Sequence, residues 1–416
     1  MNSSRHPASA TGADSSAPRR LGRIVAFDGF RGVMILIVVV GHMSLLIPGH
    51  GLLLLPGTTV GLDGFFVLSG FLITALLLKE QRGTGSIKLG GFYQRRALRL
   101  LPALIGLLLA HALYAYLTDL PGGVERSSLV SVLFYFSNYK LALGHPQLFL
   151  GGAPFADGMR HLWSLAVEEQ FYLVWPLVVV LFLGGRRSLR TVVIVLVTAI
   201  AAITIYRWHG WNGPRSYYGL FVRTDYRADA MLWGALLAHL WVRYREPTRW
   251  VRLAAWPAVV FLAYWMAFVP ETRPYLYKGG LTLIDFASAI LILAVLQGQW
   301  VGARVFTWRP IVLLGTVSYG VYLWHLPVYS VVARYGTNWP WPVRVTLALL
   351  LTTSFALLSW FLLERPALRQ KQRIEPVTTE SPPVTLGDAT RFSRDARPGA
   401  TTFRAATNDE PDTSGR

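Results

Sequence analysis

The sequence predicts an all-α polytopic membrane protein with about ten transmembrane helices and both termini in the cytoplasm. Three observations carry this. Of 416 residues, 53% are hydrophobic and only 15% are charged, against about 25% charged in soluble domains. Apolar stretches approaching the ~20 residues that span a hydrocarbon core recur along the chain. Lys and Arg collect in alternate short loops between them, the pattern that sets membrane topology. The net charge of +18 is therefore read as topology and not as nucleic-acid binding. There is no cysteine, which excludes disulfides, thiolate metal sites and a cysteine nucleophile.

In chain order the spans are read at 27–47, 60–78, 100–118, 163–183, 190–206, 228–242, 251–269, 280–298, 311–333 and 343–363. Arg19, Arg20 and Arg23 precede the first. Lys79, Arg82, Lys88, Arg95, Arg96 and Arg99 lie between the second and third. Arg186, Arg187 and Arg190 follow the fourth, Arg243, Arg245, Arg249 and Arg252 the sixth, and Arg365, Arg369, Lys371 and Arg373 the tenth. All fall on one side, which the positive-inside bias makes cytoplasmic, and an even number of spans returns both termini there. Residues 1–20 lack the apolar core of a signal peptide and read as a disordered tail. Residues 21–369 form the membrane domain, and 370–416 are polar and read as a disordered cytoplasmic tail. Segment 127–139 is too short to span and reads as re-entrant or interfacial. Outer segment 207–227 carries Arg207, Arg215, Arg223 and Arg227 against the bias. It is read either as positive charge for an anionic acceptor or as a late loop that constrains topology weakly.

Ionisable groups inside spans are costly, so each is a functional candidate. In the first span, "FDGFRGVMILIVVVGH", Arg31 and His42 are 11 residues apart. At 100° per residue they share a face, about 16 Å apart along the axis, which puts His42 near the midplane if Arg31 sits at the cytoplasmic boundary. Asp28 is spaced to pair with Arg31. The second span, "GLDGFFVLSGFLIT", carries Asp63, which needs an imidazole or an arginine as partner. Its Gly61, Gly64, Ser69 and Gly70 permit close helix contact. In "HLWSLAVEEQFYLVWP", His161, Ser164, Glu168 and Tyr172 form one polar stripe, with Glu168 expected to approach the depth of His42. A carboxylate there would orient the imidazole and raise its basicity; otherwise the stripe is interhelical polar glue. Glu169 points elsewhere and is expected to be satisfied by another helix or by water. In "YRADAMLWG", Arg227 and Asp229 suit a salt bridge or a substrate contact. In "SYGVYLWH", Tyr322 and His325 share a face with Ser318. Arg95, Arg96 and Arg99 of "FYQRRALRLLP" are either topological charge or a fork matched to phosphate oxygens.

These blocks, in this order over residues 21–369, resemble the acyltransferase 3 family of integral-membrane O-acyltransferases. The resemblance implies transfer of an acyl group, often acetyl, from cytoplasmic acyl-CoA to a hydroxyl across the bilayer. Acceptors in the family include envelope glycans, lipid-linked sugars and secondary metabolites. It also implies a multi-pass protein of the plasma or inner membrane, with acyl-CoA as substrate and no permanently bound cofactor or metal. The family's central positions fall on Arg31, His42, Arg96, Arg99 and Glu168. On this reading His42, Glu168 and Asp63 carry the chemistry. Arg31, Arg95, Arg96, Arg99, His161, Ser164, Tyr172, Arg227, Asp229, Tyr322 and His325 bind substrate. His42 is either a general base oriented by Glu168 or Asp63 or the acceptor of the acyl group. The alternative class is a transporter, to which buried charges also point. A metal site of His42, His161, His325 and Glu168 is the least favoured reading.

Overall fold

The computed structural model describes residues 25–47, 55–118, 126–144, 158–183, 187–243 and 248–374. The tail predicted at 1–20 lies outside them, as does the tail predicted at 370–416 except for residues 370–374, which are helical. Among the described residues every regular element is helical: α1 (Val25–His42), α2 (Thr59–Thr84), α3 (Leu89–Leu117), α4 (Arg126–Leu133), α5 (Ser137–Leu143), α6 (Trp163–Val178), α7 (Leu189–Gly210), α8 (Tyr217–Val222), α9 (Thr224–Arg243), α10 (Arg249–Phe268), α11 (Leu281–Gln297), α12 (Arg309–Thr316), α13 (Ser318–Tyr335), α14 (Trp341–Ser359) and α15 (Arg365–Ile374). Eight helices are long and apolar enough to cross a membrane, and nine if α12 and α13 count as one broken span. The remaining predicted span, the sixth, is α9, which has the length but carries Asp225, Arg227 and Asp229 in its first turns.

Helices α2 and α11 occupy the centre and α7, α10 and α14 the rim. The apolar window of α2 is 72% buried and that of α7 only 17%. The rim turns Ile194, Leu253, Val260, Leu350 and Leu358 outward, as a lipid-facing surface requires. Segment 127–139 forms α4 and α5, joined at Tyr135, whose φ of 55° makes the turn. Asn138 of α5 is fully buried. It donates to the Val222 carbonyl (3.3 Å) and the Thr224 hydroxyl (2.9 Å), and accepts from Gln170 (2.9 Å), so this segment is tied into the bundle.

Two close approaches set the centre. A Cβ on Gly70 would lie 2.0 Å from the Met231 carbonyl oxygen, and one on Gly234 2.0 Å from that of Val67. Backbone therefore meets backbone between α2 and α9, as small residues in membrane helices allow. Similarly, a Cβ on Gly315 would meet the Asp28 carbonyl oxygen at 1.6 Å, locking α12 onto α1. The span predicted at 311–333 is consequently broken: α12 follows α1, and the chain bends by 74° at Val317 into α13. That bend brings Ser318, Tyr319 and Tyr322 to the wall of a cavity.

Replacing Gly234 with Val should part α2 from α9. Overpacking of a tight contact costs about 1–3 kcal/mol, so thermal unfolding in detergent should fall by several degrees and folded yield should drop. An unchanged melting temperature would contradict the close approach.

Candidate active site

At the basic end of the bundle lies a cavity of about 350 Å³, lined by Asp28 and Arg31 of α1, Ser69 of α2, Arg96 and Arg99 of α3, Ser164, Glu168 and Tyr172 of α6, and Tyr319 and Tyr322 of α13. Its arginines are not equivalent. Arg31 bonds Asp28 one turn back at 3.2 Å. Arg96 is claimed by Glu169 at 2.6 Å, and its guanidinium stacks 3.4 Å over the Tyr172 ring. Arg95 pairs with Glu80 at 3.4 Å. Arg99 faces the cavity, keeps accessible surface, and among the described residues makes no hydrogen bond or ion pair. The three-arginine fork therefore reduces to one open guanidinium with Arg31 beside it. Glu168 accepts from the Tyr172 hydroxyl at 3.3 Å.

Toward the other end of α1 lies a second cavity, of about 300 Å³, lined by His42, Thr58, Arg160, His161, Tyr217, Tyr218, Phe221 and Glu271. Leu62 and Tyr322 line both cavities and form the partition between them. The Tyr322 hydroxyl donates to the His161 carbonyl at 2.5 Å, which leaves Ser164 as donor to Tyr322, also at 2.5 Å. Two short bonds thus hold the partition in place.

His42, the last residue of α1, reaches the second cavity, and its ring partner is His325. The His325 Nδ1 faces the carbonyl oxygens of Tyr322 (2.7 Å) and Val321 (3.2 Å), so it must carry the proton. Its Nε2 is then an acceptor and receives the Nδ1–H of His42 at 3.2 Å. By this network His42 keeps an unprotonated Nε2, the tautomer a base or nucleophile needs. His325 is fully buried and lines neither of these cavities, and its ring meets His42. The predicted partners differ. Glu168 lies across the partition with Tyr172, and Asp63 is bound to Arg227. His161 packs its ring 4.9 Å from His325 and neither of its buried ring nitrogens has a hydrogen-bond partner. Three imidazoles thus converge without Glu168. Among the described residues, no group of three or more His, Asp or Glu has metal-holding geometry.

Arg227 and Asp229 do not reach a cavity; both are about 1% exposed. Arg227 bonds Asp63, fixing α9 to α2. Arg207 forks onto both Asp229 oxygens at 2.8 Å and donates to Thr282 at 2.6 Å, fixing α7 to α9 and α11. Arg223 pairs with Asp225 at 2.6 Å. Opposite charges on facing helices find each other because nothing else in an apolar interior solvates them. Two of the four arginines of segment 207–227, Arg207 and Arg227, are therefore neutralised inside the bundle, and a third, Arg223, pairs with Asp225 nearer the surface. Glu169 is met by another helix, one of the two partners expected for it, whereas Leu62, Thr58 and Glu271 were not singled out in the sequence. Leu62 and Thr58 carry no signal of their own, and Glu271 lies outside every predicted span, where burial cannot be anticipated.

The family model described as "Acyltransferase domain" matches residues 24–362. The chain is 32% identical over 366 residues to "Putative peptidoglycan O-acetyltransferase YrhL" of Bacillus subtilis (strain 168), covering 83% of this chain and 55% of that protein. It is 30% identical over 320 residues to "Peptidoglycan O-acetyltransferase OatA" of Listeria monocytogenes, covering 74% of this chain and 49% of that protein. The chain spans about half the length of these curated relatives. No solved structure matches it.

Removing one partner of a buried ion pair costs about 3–5 kcal/mol, whereas apolar replacement of both is often neutral. Arg227→Leu alone should therefore abolish folded yield, and the double variant Asp63→Leu/Arg227→Leu should restore it, as read by size-exclusion chromatography in detergent. A double variant as poorly folded as the single one would contradict a purely structural pairing.

Proposed function

Since the chain belongs to the acyltransferase family, we propose that it is a membrane O-acyltransferase. It would carry an acyl group, acetyl by the names of its relatives, from acyl-CoA at the basic, cytoplasmic end to a hydroxyl of an envelope glycan at the other. The observation that supports this best is the pair of cavities meeting at Tyr322 and Leu62. One offers an open guanidinium and the other an oriented imidazole. A transporter is the weaker reading, because the family is one of acyltransferases.

Arg99, with Arg31 beside it, holds CoA phosphates through charge-assisted hydrogen bonds. The pantetheine arm runs along the first cavity past Glu168 to the partition. For the thioester to meet His42, the Tyr322 side chain must swing aside, breaking its bonds to Ser164 and His161. In direct transfer, the His42 Nε2 takes the proton of the acceptor hydroxyl and the oxygen attacks the thioester carbonyl. The C–S bond breaks, and the thiolate leaves with the proton returned by the imidazolium. In the covalent variant, Nε2 itself attacks and the thiolate leaves; the hydroxyl then takes the acyl group from the ring, the C–N bond breaks to return the neutral imidazole, and the hydroxyl's proton passes to the thiolate to give the thiol. His325 serves both routes by holding the same tautomer. Glu168 lies on the donor side in either case, where it can accept a hydrogen bond from the arm.

His42→Ala should abolish transfer of radiolabelled acetyl from acetyl-CoA to glycan while the protein still inserts; near-normal activity would sink the assignment. Arg99→Ala should raise the KM for acetyl-CoA about tenfold or more, the loss of one hydrogen bond to a charged group, with kcat less affected. Equal losses from Arg95→Ala and Arg99→Ala would contradict the single open guanidinium.

A further inference from the structure

Glu271 lies outside the spans, in the connection between α10 and α11, and no part of the transfer chemistry above uses it. The Tyr277 hydroxyl donates to its carbonyl at 2.7 Å, fixing the turn. Its carboxylate accepts from the Thr58 hydroxyl at 3.1 Å, just before α2 begins. From there Glu271 lines the same cavity as His42, opposite an aromatic wall in which Phe221 packs 5.0 Å from Trp163 and Tyr217 and Tyr218 stand buried. About 300 Å³ is the small end of the range for ligand sites, about 300–1,000 Å³. That is room for one sugar ring and not for a chain. A carboxylate facing aromatic rings suits a sugar. The rings cover its apolar C–H face, and the carboxylate accepts from a hydroxyl more strongly than a neutral group would.

Resting on the acyltransferase reading, we propose that this cavity is the acceptor subsite. It takes one sugar residue, with Glu271 accepting a hydrogen bond from one of its hydroxyls and so selecting which hydroxyl faces His42. Burial lifts the Glu271 carboxyl to about 7, while the Thr58 hydroxyl and Arg227 of α9 pull it down and Asp63 of α2 pushes it up. Tyr217 and Tyr218 of α8 and Tyr277 also face it. The sign follows. Above about pH 7 the group is ionised and accepts fully, and below it the proton occupies the site, so sugar binding should tighten as pH rises through about 7.

The test is saturation-transfer NMR with N,N′-diacetylchitobiose on the full chain in nanodiscs, with no acyl donor present. Acceptor-free hydrolysis of acetyl-CoA is measured in parallel. We expect Glu271→Gln to weaken sugar binding about tenfold and to remove its pH dependence, Glu271→Asp to lie between, and hydrolysis to stay within about twofold of wild type. Sugar affinity unchanged in folded Glu271→Gln would overturn the proposal. So would the loss of hydrolysis together with binding, which marks a structural role at the start of α2. Should Glu271→Gln fail to fold, Phe221→Leu decides instead: the loss of one ring should weaken binding severalfold, and unchanged affinity overturns the subsite. Wild-type protein that binds the sugar but never hydrolyses acetyl-CoA would refute the donor reading and leave the subsite standing.

Discussion

A charge that enters a membrane interior is costly unless a counter-charge within the protein meets it, and this constraint accounts for three ion pairs between helices. Arg207 with Asp229, Arg227 with Asp63, and Arg96 with Glu169 are each satisfied by a facing helix. They hold α7, α9 and α2 together and α3 to α6. Among the groups this pairing leaves facing the cavities are Arg99 and Glu168 in one, and the imidazoles of His42 and His161 with Glu271 in the other. The groups left open by structure are the ones available for chemistry. The close approach of α2 and α9 at Gly70 and Gly234 is part of the same arrangement, because it brings Asp63 within reach of Arg227.

The His42–His325 contact shows how the fold prepares a reactive group without a carboxylate. An imidazole oriented by Asp or Glu gains basicity from the negative charge. Here the orienting group is a neutral imidazole fixed by two backbone carbonyls. It sets the tautomer and the ring angle and adds no charge to the site proposed to receive the acyl group. The bend at Val317 is what makes this possible, since it directs Tyr322 and His325 on successive turns of α13 toward α1.

Much of this was legible in the sequence. The all-α polytopic fold follows from hydropathy alone, because each span must satisfy its own backbone in lipid. The 11-residue spacing of Arg31 and His42 places them on one face, and each lines a cavity at a different depth of α1. The partnerships were less legible. Glu168 shares a helix with His161, and a depth argument sets it near His42, but depth says nothing of azimuth, and the partition separates them. Glu169 was expected to find its partner on another helix or in water, but that the partner is Arg96 could not be read from spacing. The broken span at 311–333 could not be read from apolar content, because the break comes from where Gly315 meets Asp28. Glu271 lies beyond the rule that flags charges inside spans, since its burial arises from the way the loop folds over α2.

The proposed function requires the two cavities, which share Tyr322 and Leu62 in their linings, to open to opposite membrane faces. The chain has no cysteine, so single cysteines report access without background. Ser69→Cys lies in the first cavity and Ser44→Cys in the second. Each would be probed with a membrane-impermeant maleimide in right-side-out and inside-out vesicles. The account predicts labelling of Ser69→Cys from the cytoplasmic side only, blocked by acetyl-CoA, and of Ser44→Cys from the outer side only. Labelling of both positions from one side would reveal a single continuous vestibule and contradict it.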